Sequence, residues 1–313
     1  MGGINRAILV KFGEIALKSP SVRRKMLGKL VDNLSNAFEN RRMECVIERL
    51  WDRIVIYPSD MDGAISVLKK TFGVSIISPC VICSSEIKEL TQCVVNYARS
   101  VEHNSPIINK KLSFALRVRR TSYPLSSREL ANLLGDAVRR ETNWEVNLTV
   151  PDVEIFVEVV AKKAYIYREK IRGAGGLPVG VQGRVIIPIQ RIKDLSAAWL
   201  LMKRGCSPVI IAYKDFIEEN GKYIEKLREW GEIDVIPLLG VGHRDKCAEN
   251  NVSWGNTKSK GKENYGMNGD GQNCCEDDDL GKINGIDIIF RAVELARRKG
   301  IPAIALGLTY PCL

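Results

Sequence analysis

Apolar and polar positions along the chain repeat in two periods, and the order of those periods divides it into three parts. Arg6 to Phe12 is an apolar run that predicts a buried strand. After Gly13–Lys18, residues Val22, Met26, Leu27, Leu30, Val31, Leu34 and Phe38 recur at helical spacing, with Arg23, Arg24, Lys25 and Lys29 on the other face. Two short strands (Glu44–Leu50 and Arg53–Tyr57), a helix from Asp62 to Thr71 and a strand over Val74–Ile77 complete a βαββαβ order, which predicts a small ferredoxin-like unit.

The second part opens with a helix from Ile87 to Ala98. In Leu112–Arg119 the apolar Phe114, Leu116 and Val118 alternate with Arg117 and Arg119, and Arg120 stands at the end. Period-two alternation predicts a half-buried strand whose arginines share a solvated face. Ser126 and Glu129 have capping-box spacing and open a helix with Leu130, Leu133, Leu134, Ala137 and Val138 inward. Strands over Trp144–Leu148, Val153–Val159 and Ala164–Ile171 follow, and Arg168, Lys170 and Arg172 extend the basic supply.

Arg172 to Gly205 is the stretch around which the rest is organised. Gly173 to Gly183 carries five glycines and a proline, which predicts a turn-dense connector. Strand Val185–Ile189 then leads into a helix over Asp194–Arg204, with Asp194 as N-cap and Gly205 as its stop. Beyond it come strand Pro208–Tyr213, a helix over Gly221–Trp230 with Tyr223, Ile224, Leu227 and Trp230 inward, and strand Ile233–Leu239. Helix Asp287–Lys299 and strand Ile301–Leu306 close the alternation, which predicts a parallel sheet with helices on both faces. Between 242 and 282 periodicity vanishes and Gly, Asn, Lys and Asp dominate, as in a disordered insertion.

Length and charge sharpen this picture. A chain of 313 residues suits two or three domains. The net charge of +10 is unevenly held: from Cys206 onward there are 14 Lys+Arg against 17 Asp+Glu, so Met1–Gly205 holds 33 against 20, a surplus of +13. A basic half of this kind points to a polyanion, nucleic acid before membrane, because no basic amphipathic helix has an aromatic anchoring face. No apolar run approaches the ~20 residues of a spanning helix, and neither a signal peptide nor a lipidation motif is present, so the expected location is cytoplasmic. Nine scattered cysteines do not form a secreted disulfide framework. Cys80-x-x-Cys83 has no second pair or histidine beside it, and Cys206 belongs to the core. Cys247, Cys274 and Cys275 lie in the insertion without designed zinc spacing, and neither His103 nor His243 has ligand or triad spacing, so no metal site is expected.

Three blocks carry a family resemblance. They are Ile8-Leu9-Val10-Lys11-Phe12-Gly13-Glu14-Ile15-Ala16-Leu17-Lys18, then Phe72-Gly73-Val74 with Ser78-Pro79, then Ala164–Tyr167, Gly173–Gly180 and Ala197–Gly205 taken together. Through them the chain resembles the tRNA 4-thiouridine synthetase (tRNA sulfurtransferase) family over nearly its whole length. The resemblance implies a mixed α/β and α+β multidomain protein. Its parts are an N-terminal ferredoxin-like domain over 1–79, a THUMP RNA-binding domain over 80–172, and a doubly wound, parallel-sheet PP-loop-like adenylation domain over 173–313. In the family the first two domains grip tRNA and its 3′ end, and the third activates a uridine with ATP.

The strand-to-helix turn departs from the family. The family places Ser-Gly-Gly-x-Asp-Ser there, whereas this chain, one residue short, places Ile189-Gln190-Arg191-Ile192-Lys193-Asp194. A pyrophosphate cradle needs glycines so that the backbone can approach the phosphates. The PP-loop is therefore read as degenerate, with Ile189, Gln190, Arg191, Lys193, Asp194 and Gly307 as a vestigial nucleotide site. Gly307 resembles the glycine ending the family's nucleotide-contacting strand, after which the family continues and here only Leu308–Leu313 follow.

The resulting expectation is a tRNA-binding protein that meets phosphates near the acceptor end through Lys11, Lys18, Arg23, Arg24, Lys25, Arg117, Arg119, Arg120, Lys170 and Arg172. The alternative is an active ATP-dependent tRNA sulfurtransferase making 4-thiouridine, with ATP and Mg2+ held by a non-standard site or with help from a partner protein. tRNA is the expected partner; a sulfur-donor protein and a second copy of the chain are further candidates.

Overall fold

The computed structural model describes residues 5–103, 112–239 and 279–305. They form two compact units, one of Met1–Gly183 with Trp199–Ser207 and Arg228–Glu232, the other of Arg184–Ala198, Pro208–Leu227 and Ile233–Leu313.

The first unit begins with β1 (Asn5–Lys11), α1 (Pro20–Glu39), β2 (Cys45–Arg49), β3 (Ile54–Pro58), α2 (Met61–Lys69) and β4 (Ile76–Ser84). Pro20 starts α1 with φ preset for a helix, and Met26, Leu27, Leu30, Leu34 and Phe38 line its buried face. Asp60 caps α2 by accepting from the N–H groups of Asp62 and Gly63 at 3.1 and 3.2 Å. The strands run antiparallel in the order β2-β3-β1-β4, as a ferredoxin-like unit requires. Ile8, Val10, Ile54 and Ile56 meet both helices in one apolar cluster.

β4 does not end at the expected boundary near Pro79. It runs on to Ser84 and pairs with β8, so a single sheet carries both halves of the unit. The remaining elements are α3 (Ile87–His103), β5 (Ser113–Thr121), α4 (Ser127–Thr142), β6 (Glu145–Val146), β7 (Val153–Val160), β8 (Lys163–Tyr167) and β9 (Ile171–Arg172). The path is β2-β3-β1-β4-β8-β7-β5-β6, with β9 also on β4. The Ser126–Glu129 capping box forms as its spacing predicts. The strand expected over Trp144–Leu148 shrinks to β6, because Trp144 is buried against Phe114 and donates its indole N–H to Glu102 at 2.9 Å. The strand expected over Ala164–Ile171 divides into β8 and β9.

All four helices cover one face of this sheet, the face of Ile8, Val10, Val157 and Ile166. The other face carries Ala7, Leu9, Val55, Cys80, Tyr165 and Tyr167, which are buried although no helix among the described residues lies over them. The sheet curls until its own distant strands meet. Lys163 of β8 reaches Glu48 of β2 at 2.9 Å and Tyr57 Oη of β3 at 3.2 Å, although three and two strands respectively lie between.

The glycine-rich connector packs against the end of α5 (Leu195–Lys203). Leu177 N–H donates to Lys203 O at 3.0 Å, and the N–H groups of Gly180 and Gln182 share Gly205 O at 2.9 Å. Gly176 has φ +72°, and a Cβ there would stand 2.3 Å from Lys203 O, so only glycine fits. Phe72 stacks on Trp230 at 5.2 Å and meets the edge of Trp199 at 5.4 Å, tying those segments to the ferredoxin-like part.

The second unit contains β10 (Arg184–Pro188), β11 (Ser207–Tyr213), α6 (Lys214–Arg228), β12 (Asp234–Leu238) and α7 (Asp279–Lys299) beside the start of α5. The sheet order is β10-β11-β12, with β11 and β12 parallel. Ile288, Ala292 and Ala296 of α7 pack on Ile186, Val209 and Ile211. Helix α6 begins at Lys214, earlier than the expected Gly221, because the Asn220-Gly221 pair is absorbed into the helix, with Asn220 Nδ2 donating to Phe216 O at 3.1 Å. Of the expected strand Ile301–Leu306, the described residues up to Ala305 show a single parallel bridge between Ile304 and Ile186, and Leu306 lies outside them. Of the expected insertion, 242–278 lies outside the described residues, and its last residues from Asp279 belong to α7.

Candidate nucleic-acid interface and the strand-to-helix turn

The basic residues expected at an interface fall into two groups, one on the sheet strands and their ends and one around the start of α1. Register puts Lys11, Ile76 and Arg172 side by side across β1, β4 and β9. In an antiparallel pair directly opposed side chains lie on one face, so Lys11 and Arg172 share a face.

Lys11, however, is held within the protein. Its ammonium donates to Glu158 and, at 3.2 Å, to Tyr167 Oη. Arg53 donates to the other oxygen of Glu158 and, at 2.7 Å, from Nε to Asp52. Tyr167 Oη also donates to Glu158. Burial alone would raise the Glu158 carboxyl, but the hydrogen bonds from Lys11 and Tyr167 and the charges of Arg53 and Lys11 hold it below the usual carboxylate range. Burial, then the Glu158 carboxylate, pushes the Tyr167 phenol up. Lys11 thus closes the concave face and is not a solvated cation.

Arg119, Arg120, Lys170 and Arg172 are exposed. Lys170 Nζ lies 3.3 Å from the centre of the Phe156 ring. Desolvation there lowers its pKa, and repulsion from Lys11 and Arg119 acts in the same direction against the attraction of Glu154 and Glu158. Arg119, Lys170 and Lys11 are therefore neighbours. Arg117 is half-buried, its Nε donating to Glu154 at 2.6 Å and its Nη2 to Leu148 O at 2.8 Å.

The second group surrounds the single helical turn Glu14–Leu17 and the start of α1. Lys18, Arg24 and Lys25 are exposed. Arg23 donates to Ala16 O at 2.6 Å and Lys18 O at 3.3 Å, and its guanidinium lies 5.3 Å from the centre of the Trp51 ring. Arg49 donates to Arg24 O at 3.2 Å. Sequence reasoning missed Arg49, Trp51 and Arg53, placing Arg49 and Arg53 near strand ends and leaving Trp51 between the two strands. The signal was the interleaving of basic and aromatic residues in Arg49-Leu50-Trp51-Asp52-Arg53.

The turn after β10 has a different character. Ile189 is fully buried, and Gln190, Arg191 and Lys193 are exposed. Asp194 is only 5% exposed and closes a single helical turn, Ile192–Asp194. It is not the forward N-cap expected of it. Its Oδ2 accepts from the N–H groups of Gln190 at 3.2 Å and Arg191 at 3.0 Å, and its Oδ1 accepts from the Arg191 guanidinium at 3.1 Å. Helix α5 starts after it, at Leu195. Gly307 lies outside the described residues, as do His243, Cys247, Cys274 and Cys275.

Cys80 and Cys83 do not form a pair. Three positions apart on a strand, they face opposite sides of β4, Cys80 in the concave cluster and Cys83 against the helix-side core. Burial pushes the Cys80 thiol up to about 12. The partner of Cys83 is Cys93 of α3, whose hydrogen bond, with burial, drives the Cys83 thiol upward. Cys206 is half-buried. Among the described residues no three His, Cys, Asp or Glu side chains are grouped to hold a metal ion, and no helix is long and apolar enough to cross a membrane.

Comparison with known proteins matches residues 7–78 to the model of the ThiI ferredoxin-like domain and residues 85–169 to that of the THUMP domain. A probable tRNA sulfurtransferase of Methanothermobacter thermautotrophicus is 36% identical over 206 residues, covering 65% of this chain and 51% of that protein. One of Methanocaldococcus jannaschii is 29% identical over 265 residues, covering 82% and 68%. The chain spans about half the length of the first of these curated relatives. Among solved structures, PH1313 from Pyrococcus horikoshii superposes with a TM-score of 0.70 at 24% identity, covering 97% of this chain and 85% of that one. A 4-thiouridine synthetase, solved with RNA and bound ATP, superposes with a TM-score of 0.66 at 21% identity, covering 96% and 73%. Both share the mixed α/β fold, including a parallel-sheet domain.

Proposed function

Because the chain belongs to the tRNA sulfurtransferase family, whose ThiI ferredoxin-like and THUMP domains it carries, we propose that it binds tRNA near the acceptor end through those two domains. The observation that carries this reading is the set of exposed cations on one continuous sheet and the segments that flank it, Arg119, Arg120, Lys170 and Arg172 from the THUMP half and Lys18, Arg24 and Lys25, after β1 and at the start of α1, from the ferredoxin-like half. Such side chains position a phosphate backbone without reading sequence, so selectivity comes from the shape of the folded RNA. The shared sheet supports the reading further, since it fixes the spacing of the two groups. Filter binding of tRNA, with and without its 3′ end, at two salt concentrations tests it. Affinity should fall steeply with salt and drop when the 3′ end is removed; salt-independent failure to bind overturns the reading.

The strand-to-helix turn does not fit a triphosphate in this reading, and no chemical step is assigned to it. A phosphate cradle offers unengaged backbone N–H groups at a helix N-terminus, whereas Asp194 accepts from the N–H groups of Gln190 and Arg191. A buried carboxylate in that place also repels a second anion. The second reading, an active ATP-dependent tRNA sulfurtransferase, draws on the name of the curated relatives and on the ATP bound in the synthetase neighbour. It requires a non-standard ATP site or a partner that supplies the loop and a sulfur donor. Exchange of pyrophosphate into ATP, stimulated by tRNA, decides between them: its appearance establishes the second reading, and its absence with tRNA binding intact leaves the first.

A further inference from the structure

We infer that Trp51 is a stacking platform for an unpaired nucleobase, with Lys18, Arg24 and Arg49 taking the phosphates on either side of it. The inference rests on the tRNA-binding reading and names a contact within it.

Trp51 stands in the hairpin between β2 and β3 with 69% of its surface exposed. The other tryptophans among the described residues are placed otherwise. Trp144 is buried in the core, and Trp199 and Trp230 pack around Phe72. A large exposed aromatic is costly to leave in water and gains when another flat ring covers it.

The indole is also held in place. The Arg23 guanidinium lies against the ring, and Arg23 is itself tethered to the carbonyls of Ala16 and Lys18. The next residue, Asp52, is gripped by Arg53, which is anchored in the buried Glu158 network. A ring fixed in advance loses little conformational freedom when a base stacks on it.

Charge selects the class of ligand. Lys18, Arg24 and Arg49 are exposed around the Arg23 that lies on the ring, Arg23 holding the Lys18 carbonyl and Arg49 the Arg24 carbonyl. The hairpin's two acids are engaged elsewhere, Glu48 by Lys163 and Asp52 by Arg53. Leu17, 86% exposed at the end of the helical turn, adds an apolar edge. An aromatic ring among cations suits a base flanked by phosphates, because stacking tolerates any base and the cations follow the backbone. Lys11, paired with Ile76 and through it with Arg172, links this end of β1 to the THUMP-side cations, so one strand of RNA can run along both groups.

The test uses the full chain and labelled tRNA, with binding measured at several salt concentrations for the wild type, Trp51→Ala, Trp51→Phe and the double variant Arg24→Ala/Arg49→Ala. Base–aromatic stacking predicts that Trp51→Ala weakens binding about 10-fold or more, while the slope of log affinity against log salt stays unchanged. Trp51→Phe should retain most of the affinity. The double variant should reduce the slope by about 1 to 2. On a fully paired RNA duplex without overhangs, Trp51→Ala should make no difference. Binding of tRNA by Trp51→Ala at wild-type affinity overturns the inference alone, as does an equal loss on the paired duplex. Failure of the wild type to bind tRNA at low salt overturns the tRNA reading and this inference with it.

Discussion

Arg53, just before β3, donates to Glu158 of β7, although β1, β4 and β8 lie between those strands in the sheet. Both side chains are buried. Only a sheet curled sharply toward its helix-free face brings them together, and the bond seals that face at one end while Lys163 and Glu48 brace it farther along. The ferredoxin-like and THUMP halves are joined by this curl, by hydrogen bonding along β4, and by charge pairs between strands distant in the sheet.

Arg53→Met should therefore unfold the chain more easily than its position in a hairpin suggests. Removing one partner of a buried pair leaves the other uncompensated and costs about 3–5 kcal/mol. The remaining Lys11–Glu158 contact places the expected loss toward the lower end of that range. Urea denaturation at neutral pH measures it, and a loss below about 1 kcal/mol would show that the curl does not depend on this pair.

Glu158 also sets an acid limit. Its carboxyl is held below the usual range in the folded chain, whereas the unfolded value is about 4.3. The stability it contributes is fully present above that unfolded value and is lost as pH falls through the lower folded value. Urea midpoints followed from pH 6 to pH 3 should fall in the wild type. In Glu158→Gln the fall should be shallower from a lower starting stability, since the amide has no charge to lose. Parallel curves for the two proteins would place the acid sensitivity elsewhere.

Much of this fold is legible in the residue pattern, and the remainder escapes for identifiable reasons. The faces of α1 and α4, the Ser126–Glu129 box and the βαββαβ order follow from local spacing, and local spacing survives folding. Period-two alternation places Arg117 and Arg119 on one face of β5, but it cannot show that Arg117 is claimed by Glu154 while Arg119 stays exposed. The role of Lys11 depends on Glu158, more than a hundred residues away, so no local window contains it. Cys80-x-x-Cys83 shows the reverse case, a motif clear in sequence that strand geometry splits between two faces, giving Cys83 a helical partner in Cys93. At the turn after β10 the absence of glycine was legible. The backward reach of Asp194 was not, because N-capping and loop closure use the same residue type.

Asp194 yields a third prediction. Asp194→Ala deprives the N–H groups of Gln190 and Arg191 of their acceptor in a partly buried turn, at a cost of about 1–3 kcal/mol. Hydrogen exchange should show the amides of Gln190 and Arg191 losing protection while those of β1 and β4 keep theirs. Unchanged protection at Gln190 and Arg191 would mean that the carboxylate does not hold the turn.

Lys11 and Lys170 separate architecture from RNA contact most directly. Both lie near Arg119, and Lys11 and Lys170 are close enough to repel each other. Lys11 is bound to the buried Glu158, whereas Lys170 rests exposed on the Phe156 ring. Lys11→Met should lower stability by more than about 2 kcal/mol through the charge it strands, and any weakening of tRNA binding should track the unfolded fraction. The triple variant Arg119→Ala/Lys170→Ala/Arg172→Ala should unfold close to the wild-type midpoint. Each phosphate contact contributes a little under one unit of salt slope, so the slope for its tRNA binding should be shallower by about 2 to 3. Binding titrations over a tenfold range of salt, paired with urea curves for both proteins, check the contrast. If the triple variant binds tRNA with the wild-type slope, those exposed cations are solvated surface charges and the RNA path lies elsewhere.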